Sequence, residues 1–197
     1  MSIEVKPADA VPFDDVQKMF VGPGDQAWCQ CQWFTVPRAM NRTLTTDDRR
    51  ERLHEQTRHG NGRGVATTGL VAFVDGEPAG WVAVQPRVDY DNLVRARIPW
   101  AERTEDKSDP GVWAITCFIT HREFRRQGVS AALASAAAEW AHHNGATAVE
   151  GYPVDLSSGR KTSADAMYVG ASTAFAAAGF TAVSHPSPGR VVMRIDF

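Results

Sequence analysis

Cysteine and tyrosine are scarce in this chain, with three of each among 197 residues. An odd and low cysteine count leaves no disulfide framework and fits reduced thiols. Positive charge is not in surplus either, since 21 Lys and Arg stand against 23 Asp and Glu for a formal net charge of −2. That balance argues against a protein whose main business is a nucleic-acid backbone or an anionic membrane, both of which need excess cations. No apolar run reaches membrane-spanning length, and Met1 to Lys6 lack the apolar core of a signal peptide. The expectation is a cytoplasmic protein with neither a membrane nor a nucleic-acid partner. Internal repeats, low-complexity tracts and long linkers are missing as well. What is present, 43% hydrophobic and 22% charged residues, suits a single globular domain over residues 1–197 with room for a sizeable core.

The densest signal runs from Val112 to Gly145. Val112, Trp113, Ala114, Ile115, Thr116, Cys117, Phe118, Ile119 and Thr120 contain no Gly, Pro or charge. Their β-branched and aromatic content predicts a buried strand. A basic turn follows, Arg125, Arg126, Gln127, Gly128, Val129, Ser130, and opens directly into an Ala-rich helix. Val129, Leu133, Ala136 and Trp140 share one face by helical spacing, and Asn144 with Gly145 supplies a stop. The first amides of a helix have no intrahelical partner and sit at the positive end of the macrodipole, so phosphate suits this turn.

The remaining elements read in order. Ile3 to Pro7 is a short strand and Asp14 to Phe20 a short helix, followed by the aromatic segment Trp28, Cys29, Gln30, Cys31, Gln32, Trp33, Phe34. Thr45 or Thr46 caps a charged helix running to about His59. Leu70 to Val74 and Trp81 to Val84 are strands joined by a tight turn at Asp75 and Gly76. A polar loop of about 25 residues, long enough to be functional, leads to the strand at 112. After the Ala-rich helix come a strand from Ala146 to Val154, a helix from about Ser163 to Ala178, and strands at Thr181 to Ser184 and Val191 to Ile195.

Arg125 and Gly128 at their spacing, with this strand and helix context, resemble the acyl-CoA diphosphate motif [RQ]-x-x-G-x-[GA] of the GNAT family of N-acetyltransferases. The order of elements along the whole chain is similar to that family's topology. Ser130 stands where the family usually has Gly or Ala. Near the end of the chain Ala171, Gly179 and Phe180 match a second family pattern, while Tyr168, Ala174 and Phe175 replace its Asn, Phe and Tyr. The Trp28-Cys29-x-Cys31-x-Trp33 segment, the Cys117-Phe118 strand and the stretch from Glu150 to Asp155 resemble an actinobacterial-type branch. The resemblance implies an α/β fold of three layers, with a mixed, mostly antiparallel sheet whose two central strands splay, and flanking helices.

It also implies acetyl-CoA as co-substrate and a small-molecule or peptide amine as acceptor, joined by direct attack. Phe118, Ile119 and Thr120 would run along the pantetheine arm, and the amides of Gln127, Gly128, Val129 and Ser130 would meet the diphosphate with Arg125 and Arg126. The Phe118 N–H, by position, would stabilise the oxyanion. The Tyr that protonates the leaving thiolate in many members is replaced by Phe175, and the Glu some relatives carry on the strand is Ala114. Glu150, through water, is then a candidate base, and Tyr152 or Tyr168 a candidate acid. Glu150 and Tyr152 share one face of their strand by its two-residue period. The alternative for these three is a solvated strand-end charge and two packing residues with polar tips.

Cys29 and Cys31 form C-x-C without a second pair, and their nearest histidine is His54, so no metal is expected. They read as small thiols in an aromatic patch that lines the acceptor pocket. Cys117 points away from Phe118 by strand alternation and reads as packing. The family's acceptor site implies a pocket of Trp28, Trp33 and Phe34 with Tyr90, and core packing is the equal alternative for these aromatics. His142 and His143 read as solvent-facing at a helix end. Homodimers are common among relatives, and the resemblance carries that expectation here. Two other functions stay open: a module that binds acyl-CoA without catalysis, and a nucleotide binder, which the turn disfavours because it lacks G-x-G-x-x-G and G-K-[ST].

Overall fold

The computed structural model describes residues 1–22, 24–57, 66–158 and 165–197. Seven strands form one sheet: β1 (Ile3–Pro7), β2 (Gly69–Val74), β3 (Glu77–Pro86), β4 (Val112–Thr120), β5 (Ala148–Gly151), β6 (Thr181–Ser187) and β7 (Arg190–Asp196). Their spatial order is β1-β2-β3-β4-β5-β7-β6. Every neighbouring pair is antiparallel except β4 and β5, which run parallel. The described helices are α1 (Phe13–Lys18), α2 (Asp25–Cys29), α3 (Arg38–Asn41), α4 (Thr46–Thr57), α5 (Asp91–Val94), α6 (Val129–His143) and α7 (Ser172–Ala177).

Local chemistry fixes these boundaries. Asp75 and Gly76 both adopt positive φ, the backbone of the type I′ turn that suits the twist of a two-residue hairpin. Thr45 caps α4 reciprocally: its hydroxyl accepts the Asp48 amide at 3.1 Å while the Asp48 carboxylate accepts the Thr45 amide at 2.8 Å. Helix α6 ends where the Gly145 amide reaches the His142 carbonyl and the Ala146 amide reaches that of Ala141, both at 3.0 Å, a Schellman closure.

The sheet separates two apolar layers. On one face α6 buries Val129, Leu133, Ala134, Ala137 and Ala141 against Val82, Trp113, Ile115, Phe118 and Val149, with Phe175 and Phe180 alongside. The other face carries a cluster of Val16, Met19, Phe20, Leu53, Val71 and Trp81 under α1 and α4. Beside it lies a smaller cluster of Tyr90, Leu93, Ala114, Tyr152 and Val192.

Three expectations need correction. The buried stripe of α6 is rotated from the predicted face: Ala136 and Trp140 are half-buried, and Ala134, Ala137, Ala138 and Ala141 take the centre. Small alanines let the helix approach the sheet along that side, so the bulky Trp140 is left at the margin. The helix predicted from Ser163 to Ala178 is divided; residues 159–164 lie outside the described residues, a 3₁₀ turn covers Asp165–Val169, and α7 starts at Ser172. Gly170 breaks it, at φ +83°, with its position filled on the outside by the rings of Phe118 and Phe175, 3.0 Å from where a Cβ would stand. The β5 strand is also shorter than Ala146 to Val154, because Tyr152 and Pro153 leave the ladder and only Val154 bridges again, to Ala171 and Arg190.

Candidate active site

The site starts at a defect in β4. Register with β3 passes from Ala83 opposite Cys117 to Val84 opposite Ile115, so Thr116 is an extra residue, a β-bulge that bends the strand. Pairing with β5 stops at the same place, covering only Val112 to Ile115 against Ala148 to Gly151. From Thr116 to Thr120 the β5 side of β4 has no strand partner among the described residues. The His121 amide donates to the Ala79 carbonyl at 3.0 Å on the β3 side. Antiparallel alternation then turns the N–H groups of Ile119 and Cys117 toward β3, and those of Phe118 and Thr120 toward the gap. The Phe118 ring meanwhile packs on the α6 face and Cys117 on the other, as alternation predicts.

The turn into α6 sits at the end of this edge. Arg125 and Arg126 are exposed, Arg126 adopts φ +63°, and Gly128 adopts φ +86°. The first amide to enter the helical ladder is that of Ala132, on the Gly128 carbonyl. Among the described residues the amides of Gln127, Gly128, Val129 and Ser130 have no protein acceptor. Successive unpaired N–H groups around left-handed residues, at a helix start flanked by two guanidinium groups, form a cradle for an anion. The donor set therefore fits a diphosphate. Ser130 closes the inner side, its Oγ 3.2 Å from Thr120 Oγ1, which ties the turn to the open strand edge.

On the sheet face away from α6, the scarce residues converge. Trp81 Nε1 donates to Cys31 Sγ at 3.1 Å, and Cys31 also meets Cys117. Burial pushes the Cys29 thiol up to about 11, with Cys117 adding to the effect; burial and Cys117 likewise raise Cys31 well above the ordinary range. These thiols are neutral packing groups at physiological pH. The Tyr90 ring is buried beside Thr116, its hydroxyl has no well-formed hydrogen bond, and burial raises its phenol. Tyr168 is 38% exposed, with its ring centroid 6.2 Å from that of Phe34 and Cys117 and Cys29 in electrostatic reach. Burial raises its phenol as well. Trp28 and Trp33 stand exposed at 46% and 47%. Asn92 pins this segment by donating from its side chain to the carbonyls of Trp33 and Val36, each at 2.7 Å. Loop β3–β4 thereby holds the aromatic wall in place.

Glu150 and Tyr152 share a face, as their spacing predicts, but Glu150 is neither solvated nor free. It is fully buried opposite Ala114. Its Oε1 accepts Arg87 Nη1 at 3.1 Å and the Tyr152 hydroxyl at 2.5 Å, while Oε2 accepts Arg103 Nη2 at 2.6 Å. Arg194 stands 3.6 Å away, and Glu105 bridges Arg87 and Arg103 from outside. Burial first, and Glu150 next, raise the Tyr152 phenol far above its ordinary value. The sequence reading missed the Arg87, Arg103 and Arg194 arm of this network, since those residues come from separate loops and strands with no shared spacing. It also missed the Thr116 bulge. Phe175 is fully buried between Phe118 and Phe180, with ring centroids at 5.4 and 5.0 Å, so its place is purely packing.

The pattern of the acetyltransferase (GNAT) family matches residues 30–156. Similar solved structures include the GNAT domain of PAT from S. lividans, at 15% identity over 100% of this chain and 92% of that one, with TM-score 0.53. The yncA acetyltransferase of Salmonella typhimurium, solved with its cofactor acetyl-CoA, is 12% identical over 100% and 94% with TM-score 0.53. Aminoglycoside acetyltransferase AAC(6')-Ib, in complex with coenzyme A and kanamycin, is 18% identical over 99% and 95% with TM-score 0.52. The curated protein sequences contain no match.

Proposed function

Because the chain belongs to the acetyltransferase (GNAT) family, we propose that it transfers an acetyl group from acetyl-CoA to an amine by direct attack within a ternary complex. One juxtaposition carries this reading: a strand edge without a strand partner, toward which the Phe118 N–H turns, ending at the four unpaired amides of Gln127 to Ser130. Acetyl-CoA supplies the acetyl group as a thioester. The amides of Gln127 to Ser130 bind the diphosphate, Arg125 and Arg126 add charge, and the edge of Phe118, Ile119 and Thr120 takes the pantetheine arm as an added strand. The Phe118 N–H then faces the carbonyl oxygen on which charge develops, fixed there by the β3 ladder and needing no reorganisation.

Proton handling falls to the other sheet face. Tyr152 spends its proton on Glu150, and Glu150 is held by two guanidinium groups, so this pair shapes the site from beneath. Tyr168 is the phenol with an accessible edge and thiol neighbours beside Cys117. Burial keeps it protonated, and it donates to the departing sulfur in the role that Phe175 cannot fill, while water takes the proton that the attacking nitrogen sheds and solvent reprotonates the phenol.

The test is thiol release from acetyl-CoA against a mixed amine panel, run with Tyr168→Phe and Arg125→Ala beside the parent. Release above the amine-free rate is expected, with Tyr168→Phe lowering kcat by on the order of 100-fold and Arg125→Ala raising KM for acetyl-CoA. Stabilisation by acetyl-CoA without release from any amine would instead favour a non-catalytic binding module. Stabilisation by NAD or ATP but not by acetyl-CoA would overturn both readings.

A further inference from the structure

Among the described residues two arginines, Arg49 and Arg87, are wholly buried, and one of them is ion-paired. Arg87 meets Glu105 and Glu150. Arg49, on α4 and 0% exposed, makes no ion pair among the described residues; the exposed carboxylate of Asp48 is within electrostatic reach only. Its Nη1 donates to Asn41 Oδ1 and its Nη2 to the Asn41 carbonyl, both at 2.5 Å. The Trp28 ring covers the guanidinium face with its centroid 4.0 Å from Cζ. The Nε is buried and has no acceptor. An arginine keeps its charge inside a protein, and a buried charge without a counter-ion is strongly unfavourable unless a ligand supplies one. Asn41 occupies the outer fork of the guanidinium. The edge formed by Nε and the second Nη2 hydrogen is left, and that edge matches the two oxygens of a carboxylate.

The position of this charge gives it a role. The chain beneath Trp28 is strained: Gln30 and Cys31, neither of them glycine, adopt φ of +48° and +57°. Gln30 is held there by Gln17 and the Ala27 carbonyl, and Gln32 by Gln56. Strain retained by such over-determined contacts clusters at ligand sites. Cys29, in the same turn, lies within electrostatic reach of both Arg49 and Cys117, and Cys117 precedes the Phe118 amide. Arg49 therefore stands behind the aromatic wall of the acceptor side, with Trp28 as an exposed cover.

We infer that Arg49 recognises the acceptor, and that the acceptor is a small amine bearing a carboxylate, which takes the Nε edge while Trp28 stacks over the guanidinium. A single guanidinium balances a monoanion. This rests on the acetyltransferase reading above, and the experiment separates the two.

The full chain is assayed by thiol release at saturating acetyl-CoA with two matched mixtures, free α- and ω-amino acids and the corresponding amides. Thermal shift with acetyl-CoA alone runs in parallel. The free acids are expected to react with kcat/KM on the order of tenfold or more above the amides, since the amides leave the buried donor without an anion. Arg49→Lys, which retains the charge but not the planar fork, should raise KM for the acids and shrink that ratio toward one, with its folding checked by circular dichroism. Trp28→Ala, which uncovers the guanidinium face, should likewise raise KM for the acids, with its folding checked in the same way. Amides reacting as well as acids, or unaltered KM in both variants, would overturn the inference, as would acetyl-CoA binding with no release from either mixture. Failure of acetyl-CoA to bind at all would overturn the underlying reading and this inference with it.

Discussion

Glu150 anchors a buried hydrogen-bond network beside the candidate site. Its carboxylate is fully buried and shared among Arg87, Arg103 and Tyr152. Replacing it by Gln leaves guanidinium charge in a dry setting, for which a loss of about 3 kcal/mol is expected, read as a lower denaturation midpoint with unchanged m-value. Below that lowered Tm the shape of the kcat profile against pH should persist, because no base is removed. Glu105, on the rim of the same network, supplies a pH signature. Burial alone would raise its carboxyl, but hydrogen bonds and charge from Arg103 and then Arg87 outweigh it and hold the group below its ordinary value of 4.5. A carboxyl depressed by folding lends stability that is fully present above its unfolded pKa and lost as pH falls through the folded one. Thermal melts below pH 4.5 should therefore fall less steeply for Glu105→Gln than for the parent. At 38% side-chain exposure the effect is modest.

At the scale of elements, what could be read from the sequence divides by locality. Strand β4, the turn at Arg125 to Ser130 and the extent of α6, though not its buried face, were legible because alternation, a glycine at a forced left-handed position and a helical stretch closed by Asn144 and Gly145 are all written in consecutive residues. The facing of Phe118 against Cys117, and of Glu150 with Tyr152, followed from the same period. The bulge at Thr116 was not legible, since it exists only as a mismatch with β3, a strand some thirty residues away in the chain. Nor was the arginine network, whose members meet through tertiary packing alone, or the break at Gly170, which lies inside a pattern that reads as continuous helix. That break can be tested against the turn. Gly170→Ala meets both a positive φ and the Phe118 and Phe175 rings at 3.0 Å, so it should cost about 2 kcal/mol and, by displacing Phe118, lower kcat. Gly128→Ala has the same kind of φ but no neighbour nearer than 3.9 Å. It should cost about 1 kcal/mol, leave kcat nearly intact, and raise KM for acetyl-CoA as the cradle deforms. Urea titration and steady-state kinetics on the two variants distinguish them.

For the molecule as a whole, the sheet is two halves joined by a short parallel seam. β1, β2 and β3 form one half with β4, which β3 pairs from Trp113 to Thr120, and β5 with β7 and β6 form the other half. Only Val112 to Ile115 against Ala148 to Gly151 holds them in register. Beyond the seam, β4 is an internal strand that behaves as an edge on one side, and edge amides exchange with solvent where paired ones do not. In the free protein the amides of Phe118 and Thr120, facing the gap, should therefore exchange faster than those of Cys117 and Ile119, which face β3. Binding of acetyl-CoA along that edge should slow Phe118 and Thr120 selectively and leave the other two unchanged. Linkage adds a global counterpart: a ligand that fills the gap at 100 times its Kd stabilises the fold by about 2.7 kcal/mol, which raises Tm by roughly 5–10 °C for a domain of this size. A rise in Tm with all four amides equally protected would indicate general tightening of the fold. The alternating pattern is the outcome that requires the ligand to lie on β4 as an added strand, because only a partner in the plane of the sheet protects every second amide.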